Sequence, residues 1–271
     1  MPADDKKKKL PDLQSVISAN STEIYFQMLK RILPGVTILL FFWSCQTKDA
    51  KKDISSFYFP VENLDEGLVY EYRAAADSLA PFYMYYRTVK NDSQTFLVAM
   101  QYDFEFIPQQ LAREEIVENG VMLAESFLFE NDLTGRQVQI PVEIESGSVF
   151  PFEVNDSGGI FLYKIKWYEP ADTSVFTRLI RNRKYEGDTS FVFKNKKLPA
   201  VKFEVKELAE NYDEGFLEHE FSGMEVYAKN IGLVYFKKKV SEDLRLEYAL
   251  FDTYPMKVLE EKFRKNLERT E

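Results

Sequence analysis

The chain has 271 residues, a formal net charge of −9, one histidine and one cysteine. Its acidity repels phosphate and argues against a nucleic-acid or anionic-surface binder. One histidine and one cysteine leave no His/Cys metal cluster, no Cys-His pair and no disulfide. With no Gly-x-Ser-x-Gly elbow and no Gly-rich phosphate loop before a helix, no cofactor or metal is expected.

Along the chain, the first informative stretch is Met28–Cys45. Lys30 and Arg31 precede an apolar run from Ile32 to Trp43, then Ser44 and the single cysteine, Cys45. The run has the length of a signal-peptide core, roughly 7–15 residues, and falls short of the ~20 that a spanning helix needs. Phe42-Trp43-Ser44-Cys45 resembles the cleavage box of bacterial lipoproteins, in which the cysteine becomes the lipidated first residue of the mature protein. Ser44 and Cys45 fit that box, Phe42 stands in for leucine, and Trp43 departs from it. The resemblance implies a membrane anchor through lipidated Cys45 and an address in the bacterial cell envelope, with the outer membrane expected. Residues 1–44 are read as a signal region: translation is expected to start at Met28, the alternative being an unusually long n-region, and residues 28–44 are the signal peptide. Residues 45–56, polar and without period, read as a flexible tether.

From residue 57 to 271 a single β-rich domain is expected. Aromatics make up 15% of the chain, with 23 Phe and 16 Tyr, which suits strands carrying large rings on a buried face. Leu68, Tyr70 and Tyr72 alternate on one face of 67–73. Segments 82–89 and 95–102 follow, joined by the turn residues Lys90 to Ser93. Segments 110–118 and 121–130 flank Asn119-Gly120, a strong hairpin signal. Pro141 makes 137–145 an edge or bulged strand. Phe161, Tyr163, Ile165 and Trp167 share a face. Strands then follow at 175–185, 189–194 and around Val201, Phe203 and Val205. Those at 215–221, 224–228, 233–240 and 244–251 complete the run. Pro255 opens a terminal helix to about 269, with Met256, Leu259, Phe263 and Leu267 as its apolar stripe. The expected fold is mainly β: a large curved antiparallel sheet, half-barrel-like, with one C-terminal α-helix.

Tyr227-Ala228-Lys229-Asn230-Ile231-Gly232-Leu233-Val234 resembles a turn found near the end of many β-rich envelope proteins of unknown function. That resemblance implies a link between two late antiparallel strands. A curved sheet with one helix is also the plan of the LolA and LolB lipoprotein carriers, an analogy of fold alone, since no motif of theirs is present.

No catalytic residue is assigned. His219, between Leu217 and Phe221, reads as a buried or edge histidine. Glu114, Glu115, Glu143, Glu145, Glu153 and Asp156 read as solvated strand faces, although a glycosidase would need two such groups facing each other. Arg178, Arg181 and Arg183 form the one basic cluster in an acidic body. They are candidates for an anionic sugar, a lipid head group or an acidic partner, with cross-strand pairing to glutamate as the ordinary use. Tyr83, Tyr85, Tyr86 and Trp167 are candidates for an aromatic ligand lining, with core packing as the ordinary use. The expected function is a membrane-anchored, non-enzymatic binding domain for a hydrophobic ligand, a glycan or an envelope protein. A carboxylate-dependent hydrolase and a structural accessory of an outer-membrane complex are the alternatives.

Overall fold

A computed structural model describes residues 51–76, 79–132, 134–155 and 159–270; the signal region, Cys45 and Asp156 lie outside them. In chain order the strands are β1 (Lys52–Asp53), β2 (Leu68–Ala74), β3 (Phe82–Lys90), β4 (Thr95–Tyr102) and β5 (Pro108–Val117). Then come β6 (Gly120–Asn131), β7 (Gln137–Pro141), β8 (Glu143–Pro151), β9 (Glu153–Val154) and β10 (Ile160–Tyr168). The last are β11 (Phe176–Phe193), β12 (Lys196–Tyr212), β13 (Phe216–Ala228), β14 (Gly232–Lys239) and β15 (Arg245–Tyr254), followed by helix α1 (Met256–Thr270).

The sheet is antiparallel and closes on itself. Its order runs β5-β4-β3-β2-β15-β14-β13-β12-β11-β10-β8-β6, and β5 also pairs with β6 through Arg113↔Glu125 and Val117↔Gly120. The curvature expected from the sequence is therefore complete: a twelve-stranded barrel with no open seam among these strands. β7 pairs with the far half of β6 and ends at Pro141, as an edge strand that needs no further ladder bonds.

Alternation sets which face of each strand is buried. On β12, Val201, Phe203 and Val205 are buried, while Lys202, Glu204 and Lys206 face outward. Charges on the outer face suit water and not the apolar band of a lipid-embedded barrel. Two long strands replace pairs expected to be separate. β11 runs unbroken through Gly187, with a bulge between Tyr185 and Gly187, and β13 runs through Ser222-Gly223. Gly223 permits this because a Cβ there would lie 2.1 Å from the Lys237 carbonyl oxygen of β14. The turn before β6 is Glu118-Asn119, one residue earlier than the Asn119-Gly120 expected. The link at 229–231 joins β13 to β14 as the envelope-protein resemblance implies.

The tether expected over 45–56 is shorter than read, because residues 52–56 belong to the fold. β1 pairs with β9, Ile54 is fully buried, and its N–H donates to the Phe152 carbonyl at 2.8 Å. Residues 54–67 then cross one end of the barrel. Tyr58, Phe59 and Leu64 are buried; Asn230 N–H donates to Ser56 O at 2.8 Å, and Thr88 donates to Leu64 O and Val61 O. The partners come from the ends of β3 and β8 and from the β13–β14 turn, so this segment plugs that end.

Helix α1 packs outside the wall. Leu259, fully buried, sits with Val69, Tyr83 and Tyr254, and Phe263 meets Tyr83 edge-on at 5.7 Å. Glu71 faces the same side and is buried there, accepting from Tyr254 Oη at 2.7 Å and Lys262 Nζ at 2.9 Å. The side chain of Leu267, the fourth member of the expected stripe, lies outside the described residues.

Candidate functional site

Inside the barrel is a cavity of about 360 Å³, within the roughly 300–1,000 Å³ usual for small-molecule sites. Tyr58 and Phe59 of the plug line it at one end. At the other, its walls reach residues near the opposite strand ends: Met84 on β3, Gln101 on β4, Gln110 on β5, Trp167 on β10 and Leu179 on β11. The cavity thus lies toward the unplugged mouth. Exposed Phe104, Ile107, Tyr212 and Leu244 lie in or beside the loops at that end. A groove of about 650 Å³ also lies along β12, β13 and the end of β14, but Lys206, Glu220, Lys239 and Glu242 leave it charged and open.

The lumen has an apolar wall and an ionic wall. Ile165, Trp167, Leu179, Leu123 and Leu128 supply the first. The second centres on Arg183, only 5% exposed, which forks onto Glu225: Nε donates to Oε2 at 2.7 Å and Nη2 to Oε1 at 3.3 Å. Tyr227 Oη also donates to Glu225 Oε2, at 2.9 Å. Burial would push Glu225 up; Arg183, Arg181 and these hydrogen bonds outweigh it and hold the carboxyl below the ordinary range. The Arg183 Nη1 nitrogen is buried and has no hydrogen-bond partner among the described residues. An unmet buried donor costs about 1–3 kcal/mol, so it marks a place where a group is wanted.

Arg181 lies two residues along β11 on the same face, with Tyr163 beneath it at 5.7 Å. Its Nε donates to Glu207, its register partner on β12, and Lys238 of β14 pairs with the same carboxylate. Its Nη1 lies 4.0 Å from Glu225.

Glu114 also lines the lumen and accepts from Tyr58 Oη. Burial pushes its carboxyl up, and Glu225 adds to the rise, against the pull of Tyr58 and Arg183. An acid whose folded pKa lies above its unfolded one favours the fold while protonated, and that contribution is lost as pH rises through the folded value. Glu114→Gln keeps an acceptor for Tyr58 and cannot ionise. It is expected to raise the melting temperature at neutral pH and to leave it unchanged near pH 4, below the ordinary glutamate pKa of about 4.3. Thermal scans at the two pH values check this; equal shifts at both would show that ionisation is not the cause.

The structure divides the sequence candidates. Arg181, Arg183, Tyr86 and Trp167 all line the lumen. Arg178 does not: it faces outward between Glu145, at 3.1 Å, and its register partner Glu210, at 3.0 Å. Tyr83 and Tyr85 are also on the outer side, with α1, because adjacent residues of β3 alternate and only Tyr86 is in phase with the lumen. His219 is exposed on the protruding start of β13, not buried. Glu114 is interior, not a solvated strand residue, and Glu225, Tyr58, Tyr227 and Tyr163 are lumen residues that the sequence does not mark as a site. Their signal was present: Glu225 is in phase with Tyr227, and Arg183 with Tyr185, on strands whose inward face is otherwise apolar or aromatic. Among the described residues, no group of three or more His, Cys, Asp or Glu side chains could hold a metal ion.

Fold and site together define a closed, water-facing β-barrel with a plugged end and a lumen that is part apolar and part ionic. No protein-family model matches the chain, and no curated protein matches it. Two solved structures are similar. One is a candidate lipoprotein from Parabacteroides distasonis, 12% identical, covering 75% of this chain and 100% of its own, with a TM-score of 0.48. The other is a candidate exported protein with a YmcC-like fold from Bacteroides fragilis, 14% identical, covering 73% of this chain and 99% of its own, with a TM-score of 0.47.

Proposed function

We propose that this is an envelope lipoprotein, anchored through Cys45, whose barrel is a non-enzymatic module that takes a small amphiphilic molecule into its lumen. The observation that carries the reading is the cavity of about 360 Å³ with Trp167 and Leu179 on one wall and Arg181 and Arg183 on another.

The test uses Trp167. The chain has two tryptophans, Trp43 and Trp167, so a Trp43→Phe full-length chain held soluble by an amphipathic polymer reports on the lumen alone. Titration with decanoate is expected to shift the Trp167 emission saturably, with one molecule bound. No shift, with the fold intact by circular dichroism, would remove the proposal.

A second reading, a carboxylate-dependent hydrolase, is favoured by one observation: Glu114 and Glu225 share the lumen and are pushed in opposite directions. It ranks lower because both oxygens of Glu225 already accept from Arg183, and one from Tyr227 as well, which leaves a poor base.

A further inference from the structure

If the lumen is a ligand site, as proposed above, its ionic wall specifies what kind of ligand. Register fixes the order of groups along the lumen. Tyr163 pairs with Arg181, Ile165 with Leu179, and Trp167 with Thr177, while Arg183 pairs with Phe161. Reading inward from the mouth, the wall passes Trp167, then Ile165 and Leu179, then Arg181 with Tyr163, and last Arg183. At ~3.3 Å per residue, Arg183 lies ~13 Å beyond Leu179.

The cavity lining carries two cations, Arg181 and Arg183, against Glu225 and Glu114. The ion-pair row runs on from Arg181 through Glu207 to Lys238, near the end of β14. Burial favours the neutral form of Glu114. Arg183 has spent Nε and Nη2 on Glu225, whereas Nη1 is buried without a partner. Arg181, on the same face, commits Nε to Glu207 and is less buried than Arg183. The acidic exterior does not govern this interior, because charge a few ångströms away outweighs a distant, solvent-screened surface.

We propose that the lumen selects an amphiphile with a single anionic head group, carboxylate or phosphate, which enters head first. The head seats against Arg183 Nη1 and Arg181, and the apolar part lies along Leu179, Ile165 and Trp167 toward the mouth.

The test compares four probes on the Trp43→Phe full-length chain at neutral pH, each below its micelle threshold: decanoate, decyl phosphate, decanol and inorganic phosphate. Decanoate or decyl phosphate is expected to bind at least about tenfold more tightly than decanol, since charge-assisted hydrogen bonds are made to the ions alone. The two ionic probes decide between a carboxylate and a phosphate head. Inorganic phosphate is expected to bind more weakly than either, because it leaves the apolar wall uncovered. Removing Arg183 alone risks the fold, so the variant is Arg183→Met with Glu225→Gln, which removes both charges of the pair together. It is expected to keep its fold by circular dichroism and to lose most of the preference for decanoate over decanol, Arg181 alone remaining to meet the head group. Equal binding of decanol and decanoate by the parent chain would overturn the anion site while leaving a lumenal binder standing. Tight binding of inorganic phosphate would overturn the amphiphile. A preference for the ion that is undiminished in the paired variant would overturn the role of Arg183. Binding of none of the four would instead remove the lumenal reading on which this inference rests.

Discussion

Arg183→Met alone is expected to destabilise the barrel by about 3–5 kcal/mol, the usual cost of stranding one member of a buried ion pair. In a domain of this size that is a fall in melting temperature of about 6–20 °C. The loss arises because Glu225, 8% exposed, would keep Tyr227 as a donor but lose the guanidinium fork that offsets its desolvation. The sign of the pH dependence follows. In the parent, the lowered Glu225 contributes stability above the unfolded glutamate pKa, and this is lost as pH falls through the folded value. In the variant the carboxylate has lost its principal partner and is driven toward protonation, which costs stability at neutral pH and not in acid. The gap between the two proteins should therefore be widest at neutral pH, should begin to narrow as pH falls below the ordinary glutamate value of about 4.3, and should close only as pH passes the lowered folded value. The paired variant, Arg183→Met with Glu225→Gln, should recover most of the loss. If the single variant proved as stable as the parent, the ion pair would not be what holds that part of the lumen together.

The second large effect lies in the plug. Phe59, 7% exposed, packs on Tyr58, Tyr70 and Tyr86, with ring centroids 4.1–5.6 Å away. Phe59→Ala is expected to cost about 3–5 kcal/mol. Its ring also lies over Gly232, at φ +100°, where a Cβ would come within 2.4 Å of Phe59 Cδ1. Gly232→Ala should therefore cost about 2–5 kcal/mol, part from the backbone angle and part from the collision. The two are coupled. In a Phe59→Ala background the collision is gone, and Gly232→Ala should cost only the ~1–2 kcal/mol of the left-handed backbone. Denaturant unfolding of the four proteins gives the cycle. Strict additivity would mean that the plug does not rest on the β13–β14 turn as described.

Both predictions turn on residues whose identity was plain in the sequence but whose surroundings were not. Alternation along a strand says which residues share a face, and it placed Val201, Phe203 and Val205 together correctly. Alternation also separates Tyr86 from Tyr85, its immediate neighbour, and from Tyr83, three residues away. A single lining made of all three is at odds with that parity, and the structure assigns Tyr86 to the lumen and the other two to the side covered by α1. The arginines behave likewise: Arg181 and Arg183 share a parity that Arg178 lacks, and only those two line the cavity. Glu114 reads as solvated in the sequence because charged residues usually are. What overrides that rule is a partner on a distant segment, Tyr58, 56 residues away in sequence.

Most strands, their order in the chain, the terminal helix and the inward phase of most of them were determined by the sequence alone, since they rest on local periodicity and turn chemistry; the short β1 and β9 and the break between β7 and β8 were not. Tertiary structure alone decided that β2 meets β15 and so completes the barrel, that residues 54–67 fold back across one end, and that Arg183 reaches Glu225 two strands away. These depend on contacts between segments far apart in the chain. A period of two fixes the face a side chain takes and says nothing about which strand, or which charge, will stand opposite.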